Sequence, residues 1–114
     1  MFMKIYHNPR CSKSRQTLSL IKEKGAEVEI IEYLKVIPSD KELSHIIKLL
    51  GIKPEKLLRK GEADYKENFK GKTLSGSEWI SAMIQYPKLI ERPIVVSGNK
   101  AILGRPPENV LDLL

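Results

Sequence analysis

The feature that most narrows what this chain can become is Asn8-Pro9, which closes an apolar run and leads into a helical pattern within a few residues. Met3-Lys4-Ile5-Tyr6 reads as a short strand. Pro9 cannot extend a central strand, and it holds Asn8 away from helical dihedrals. Beyond Cys11, the residues Ser14, Thr17, Leu18 and Ile21 recur at the i, i+3, i+4, i+7 spacing of one helical face, and Gly25 offers a C-terminal stop. Val28-Glu29-Ile30-Ile31-Glu32-Tyr33 is β-branched and partly alternating, the pattern of a second strand. Strand, helix and strand at this length predict a right-handed parallel βαβ unit.

The middle of the chain is helical in pattern. Ser39-Asp40-Lys41-Glu42 has the form of a capping box, followed by Leu43, Ile46, Ile47 and Leu50 on one face and Gly51 as a stop. Pro54 opens a short helix carrying Leu57 and Leu58, and Glu62 to Phe69 forms another. Ser75-Gly76-Ser77-Glu78 repeats the capping box, with Leu74 and Trp79 spaced as a hydrophobic staple, and Pro87 ends that helix. Pro93-Ile94-Val95-Val96, Ser97-Gly98-Asn99 and Lys100-Ala101-Ile102-Leu103 read as an antiparallel hairpin. A last helix follows Gly104-Arg105-Pro106-Pro107, with Val110, Leu111 and Leu114 expected on its inner face. The order βαβ, helical block, ββα predicts an α/β fold with a four-stranded mixed sheet. One domain spans residues 1–114, with a helical insertion at about 39–89.

A chain of 114 residues suffices for one modest core. Its N-terminus lacks the apolar stretch of a secretory signal and no segment is apolar enough to span a membrane, so the cytoplasm is the expected location. Twenty Lys and Arg against fourteen Asp and Glu give a formal charge of +6, which favours anionic partners without choosing their size. Nucleic acid is not expected, because the lysines form no patch interleaved with aromatic residues. One cysteine with His7 and His45 falls short of a zinc set, and no metal is expected.

Cys11 is the only cysteine, which agrees with a reducing compartment and rules out an intramolecular disulfide. Its position at the predicted start of a helix suits a reactive thiol: unpaired backbone N–H groups and the helix dipole favour the thiolate, which is the nucleophile. A buried cysteine acting as a small hydrophobe is the competing reading. Arg15, four residues on, can approach the sulfur or an anion beside it, or stand exposed beside a carboxylate. Ser14 can donate to Cys11 or face the core. His7 can serve the thiol as a proton acceptor or as a cation, or be structural at a strand end. Asn8 can help cradle an anion or only shape the turn. Arg92 and Arg105 flank the two ends of the hairpin and can converge, and several guanidinium forks suit an anion with tetrahedral oxygens.

These residues together resemble the ArsC-type arsenate reductases, thioredoxin-fold enzymes that depend on glutathione and glutaredoxin. The resemblance runs nearly end to end. It is carried by His7-Asn8-Pro9-Arg10-Cys11 with Ser14-Arg15, by Leu57-Leu58-Arg59-Lys60, by Glu91-Arg92-Pro93-Ile94-Val95-Val96, and by Gly104-Arg105-Pro106. It implies that Cys11 is the nucleophile, that His7 matches the histidine preceding it, and that Arg59, Arg92 and Arg105 bind the oxyanion. It also implies a cis bond before Pro93. The implied activity is reduction of arsenate to arsenite with glutathione as co-substrate, glutaredoxin as partner, no bound cofactor and a monomeric protein. Ser14 stands where related regulators carry the second cysteine of a CxxC pair, which argues against an internal redox switch. Two alternatives remain: a regulatory or protein-binding module of the same fold, and a general glutaredoxin-like thiol reductase.

Overall fold

The computed structural model describes residues 2–114, Phe2 by its backbone only. The chain divides into two compact units. One comprises the chain up to Val36 with Arg92–Leu114, the other Ile37–Glu91.

The first unit holds the sheet. Strand β1 (Phe2–His7) is followed by helix α1 (Ser12–Glu23) and strand β2 (Glu27–Glu32); strands β3 (Ile94–Ser97) and β4 (Lys100–Leu103) form the hairpin. The order across the sheet is β2-β1-β3-β4. β1 is parallel to β2, with Ile5 opposite Ile30, and antiparallel to β3, with Ile5 opposite Val95. The four-stranded mixed sheet is thus the one the sequence predicts, and its βαβ and ββα halves join through β1 and β3. Gly98 adopts φ +60° in the two-residue hairpin turn, a conformation that side chains rarely take. Met3 and Ile5, two residues apart on β1, share one face of the sheet, where they meet Ile21 of α1, Val95 of β3, Val110 and Leu113 in one core cluster.

The terminal segment differs from expectation. Pro107–Leu113 is a 3-10 helix and not an α-helix. With three residues per turn its inner face repeats every third position, so Pro107, Val110 and Leu113 are buried, while Leu111 and Leu114 remain 40% and 42% exposed. The sequence reading assigned Leu111 and Leu114 inward because it assumed a period of 3.6.

The second unit contains α2 (Asp40–Leu50), α3 (Ala63–Asn68) and α4 (Gly76–Gln85), with 3-10 turns at Pro54–Leu57 and Pro87–Leu89. The Ser39 hydroxyl accepts from the Glu42 amide, and Ser75 with Glu78 completes both bonds of a capping box. Gly51 closes α2 in the left-handed region at φ +69°. Trp79 is buried, with Tyr65 and Phe69 at ring distances of 6.3 and 5.8 Å. A short antiparallel bridge pairs Leu58 with Ile90; the Arg59 amide donates to Leu89 O (2.8 Å) and the Glu91 amide to Leu57 O (2.9 Å). Arg59 therefore leaves a hydrogen-bonded clip and not a free loop. Among the described residues no helix is long and apolar enough to cross a membrane.

The 3-10 register makes a measurable contrast. Leu113→Ala, which empties a core position, is expected to cost about 2–4 kcal/mol in urea unfolding. Leu111→Ala should stay within about 0.5 kcal/mol. Equal losses would contradict this register.

Candidate active site

Cys11 is the N-cap of α1, with extended backbone angles of φ −91° and ψ 123°. Three bonds fix the loop before it and its junction with the helix, the first two made by Asn8. The Cys11 amide donates to Asn8 O (3.0 Å), the Arg10 amide donates to Asn8 Oδ1 (3.0 Å), and the Cys11 carbonyl accepts from the Arg15 amide (3.0 Å). Asn8 therefore shapes the turn with both its carbonyls. The Cys11 side chain makes no capping bond, and the first turn of α1 carries no acidic residue. The partial positive charge of that helix end is left facing the sulfur with no carboxylate in the turn to offset it. Cys11 is buried, 8% exposed, and stands apart from the core cluster around Met3, Ile5 and Val95.

Arg105 comes to this sulfur from the far end of the chain. Its Nη1 lies 3.9 Å from Cys11 Sγ and also donates to Arg92 O at 3.2 Å. The two ends of the hairpin converge as the sequence suggested, and the Nε and Nη1 atoms of Arg92 are buried. The bonds before Pro93 and before Pro106 are both cis; the first was expected from the family resemblance, and the second was not.

Three residues that sequence reasoning did not single out for the site hold Arg105 in place. The Gly104 amide donates to Pro93 O at 2.9 Å. Thr17 Oγ1, fully buried on α1, bonds to Lys13 O (2.8 Å) and approaches Gly104 O (3.3 Å). Asn109 Nδ2 donates to Leu103 O and Arg105 O, both at 3.2 Å. Gly104 has no room for a side chain: an added Cβ would collide with Thr17 Oγ1 and lie 2.8 Å from Pro93 Cγ. The only sequence signal was a glycine in Gly-Arg-Pro, which reads as a turn.

His7 and Ser14 form a pair of their own. His7 Nδ1 and Ser14 Oγ are 2.6 Å apart, and Ser14 Oγ also accepts from the Asn8 amide at 3.1 Å. Ser14 is fully buried, so it faces inward and serves the loop; its hydroxyl is committed to His7 and Asn8. Burial pushes the His7 pKa below its ordinary 6.5; Glu32 opposes this, while Arg15 and Lys22 reinforce it. The shift favours the neutral imidazole over the charged one at neutral pH. Arg15 is exposed and its Nη1 donates to Pro9 O at 3.0 Å, so it braces the loop beside Cys11 instead of pairing with a carboxylate.

Arg59 lies in the second unit. Its Nη1 bonds Glu62 Oε2 at 2.7 Å and its Nε lies 3.5 Å from Glu91 Oε1. Both carboxylates are partly buried with it. The structure thus brings together Cys11, Arg105, the Arg92 backbone and the His7-Ser14-Asn8 loop within the first unit. Among the described residues no group of three or more His, Cys, Asp or Glu is arranged to hold a metal ion.

The model of the ArsC family matches residues 6–113. YfgD, an uncharacterized protein of Escherichia coli K12, is 49% identical over 98% of this chain and 96% of its own length. An arsenate reductase of Haemophilus influenzae is 46% identical over 96% of this chain and 97% of its own. The solved arsenate reductase of Vibrio cholerae superposes with a TM-score of 0.95 at 46% identity, covering all of this chain and 98% of that one.

Two outcomes follow from this geometry. Gly104→Ala should cost about 1–3 kcal/mol by overpacking, and Thr17→Ala in the same chain should recover at least about 0.5 kcal/mol of it. A double-mutant cycle in urea measures this, and strict additivity would mean that the contact is unimportant. For His7, the folded pKa lies below the unfolded one, so between those values the unfolded chain binds more protons. Stability should therefore fall as pH drops from about 6.5 and level off below the folded midpoint. Melting temperatures across that window should show a slope that is absent in His7→Gln.

Proposed function

We propose that this chain, which belongs to the ArsC family, is an arsenate reductase that works through Cys11 with glutathione and glutaredoxin as external reductants. The observation that carries the reading is the 3.9 Å approach of the Arg105 guanidinium to Cys11 Sγ at a helix N-cap. A nucleophile and an oxyanion donor then act on the same bound anion. The names of the Haemophilus and Vibrio relatives support arsenate as that anion.

In this mechanism Arg105 and Arg92 bind arsenate, with Arg59 as the third arginine that the family resemblance implies. Cys11 sulfur attacks arsenic and one As–O bond breaks, its oxygen leaving as water. Glutathione sulfur displaces a second oxygen in the same way. The two As–S bonds then break as the sulfurs join, two electrons pass to arsenic, and arsenite leaves. Cys11 remains as a mixed disulfide with glutathione, which a glutaredoxin thiol removes. Fixed guanidinium donors lower the barrier because they need no reorganisation as charge moves onto oxygen. His7, neutral and bonded to Ser14, holds the Asn8–Cys11 loop and does not supply charge. No resident metal or cofactor enters these steps. A thiol-driven cycle of this kind fits the reducing cytoplasm.

Cys11→Ser is expected to abolish arsenite release in the presence of glutathione and glutaredoxin while retaining arsenate binding by calorimetry. Arg105→Ala should lower kcat/KM for arsenate about 100-fold. Undiminished turnover by Cys11→Ser, or no arsenite from the native chain, would sink the proposal.

A further inference from the structure

A second concave feature begins beside the reactive sulfur. The outer face of α1 presents Ser12, Arg15, Ser19 and Glu23, one face of the helix, and with Pro107 and Glu108 they line a groove of about 700 Å³. That size lies within the range of small-molecule pockets, roughly 300–1,000 Å³. Its near end is tied to Cys11 from two directions. Ser12 is the next residue in the chain, with Arg15 braced on Pro9 O at 3.0 Å. Glu108 follows three residues after Arg105, which touches the sulfur.

We infer that this groove seats the γ-glutamyl arm of glutathione while its thiol is engaged at Cys11, with Arg15 taking the α-carboxylate and Glu108 the α-ammonium. The inference rests on the glutathione dependence proposed above, and it assigns that co-substrate a place. The argument is one of charge and reach. The amino-acid head of the arm carries one carboxylate and one ammonium on a single carbon, and the lining of the groove offers the guanidinium of Arg15 and the carboxylate of Glu108. The Pro9 carbonyl occupies one of the five N–H donors of Arg15 and leaves a fork that suits a carboxylate. Glu23 also lines the groove, but it is eleven residues from Ser12 along the helix, roughly 16 Å. The arm spans about two residue lengths from the cysteine of glutathione, roughly 7 Å. With the thiol at Cys11, Glu23 is therefore out of range, which leaves Glu108 as the lining carboxylate to take the ammonium. A thiol without the amino-acid head would still react, but without this anchor.

The test avoids arsenate altogether. Cys11 thiolate attacks oxidised glutathione, one sulfur of the disulfide joins Cys11, and glutathione thiolate leaves. Mass spectrometry follows the rate. The competing probe is the disulfide of N-acetylcysteinylglycine, which keeps the amide and lacks the amino-acid head. The native chain should prefer oxidised glutathione about tenfold, equivalent to about 1.4 kcal/mol. Glu108→Gln and Arg15→Gln should each reduce that preference at least threefold. Because the readout is a ratio of two rates on the same protein, a general change in thiol reactivity cancels. No preference in the native chain, or a preference that survives both substitutions, overturns the inference. A preserved preference in a protein that releases no arsenite would instead overturn the proposed activity and leave the groove standing.

Discussion

The close contact at Gly104 is the constraint on which the first unit's chemistry depends. Helix α1 carries Cys11 at its start, and the loop after β4 carries Arg105. The two are separated by 94 residues in sequence, and they meet because Thr17 and Pro93 press on a residue with no side chain. The bond from Gly104 N–H to Pro93 O ties the exit of the hairpin to its entrance, and the approach of Thr17 Oγ1 to Gly104 O ties both to the helix. A shift of 1 Å in such a contact would move the guanidinium out of range of any anion poised on the sulfur, since productive geometry tolerates little misplacement.

The second constraint lies on the other side of Cys11. His7 ends β1, Ser14 lies in the first turns of α1, and their 2.6 Å bond links the strand to the helix across the Asn8–Cys11 loop. Desolvation favours the neutral imidazole, so this link stays uncharged near the cationic Arg15 and Lys22. A charged imidazole would add to their mutual repulsion. A neutral one braces the loop without that cost. The positive character of the site is thus left to arginine, which keeps its proton at any physiological pH.

Much of this was legible in the sequence because the signals were local. Asn8-Pro9, the Ser39 and Ser75 caps and the alternation around the hairpin each act over a few residues, and the structure contains each of those elements. The convergence of Arg92 and Arg105 was legible too, since a hairpin brings its own ends together. What escaped was either non-local or dependent on period. Nothing near Thr17 announces a contact with Gly104. The switch from 3.6 to 3.0 residues per turn after Pro107 moved Leu113 inward and left Leu111 and Leu114 facing solvent. Ser14, equally able to face Cys11 or the core by spacing alone, was decided by the buried His7 ring beside it.

The carboxylates around Arg59 bear on what that guanidinium can do for an oxyanion. Arg59 bonds one carboxylate at 2.7 Å and has another at 3.5 Å, so its charge is already compensated. The guanidinium of Arg105 has a carbonyl oxygen and the Cys11 sulfur near one terminal nitrogen. On the proposed mechanism an anion beside Cys11 gains attraction from Arg105 of order 1–4 kcal/mol per charge pair between aqueous and surface dielectrics, and nearer the lower end because Arg105 is exposed. An anion that bonded Arg59 would have to compete with Glu62 and Glu91. Only a ligand with several oxygens in the right directions would offset that competition. A monovalent anion would have too little charge to loosen Arg59 from its carboxylates.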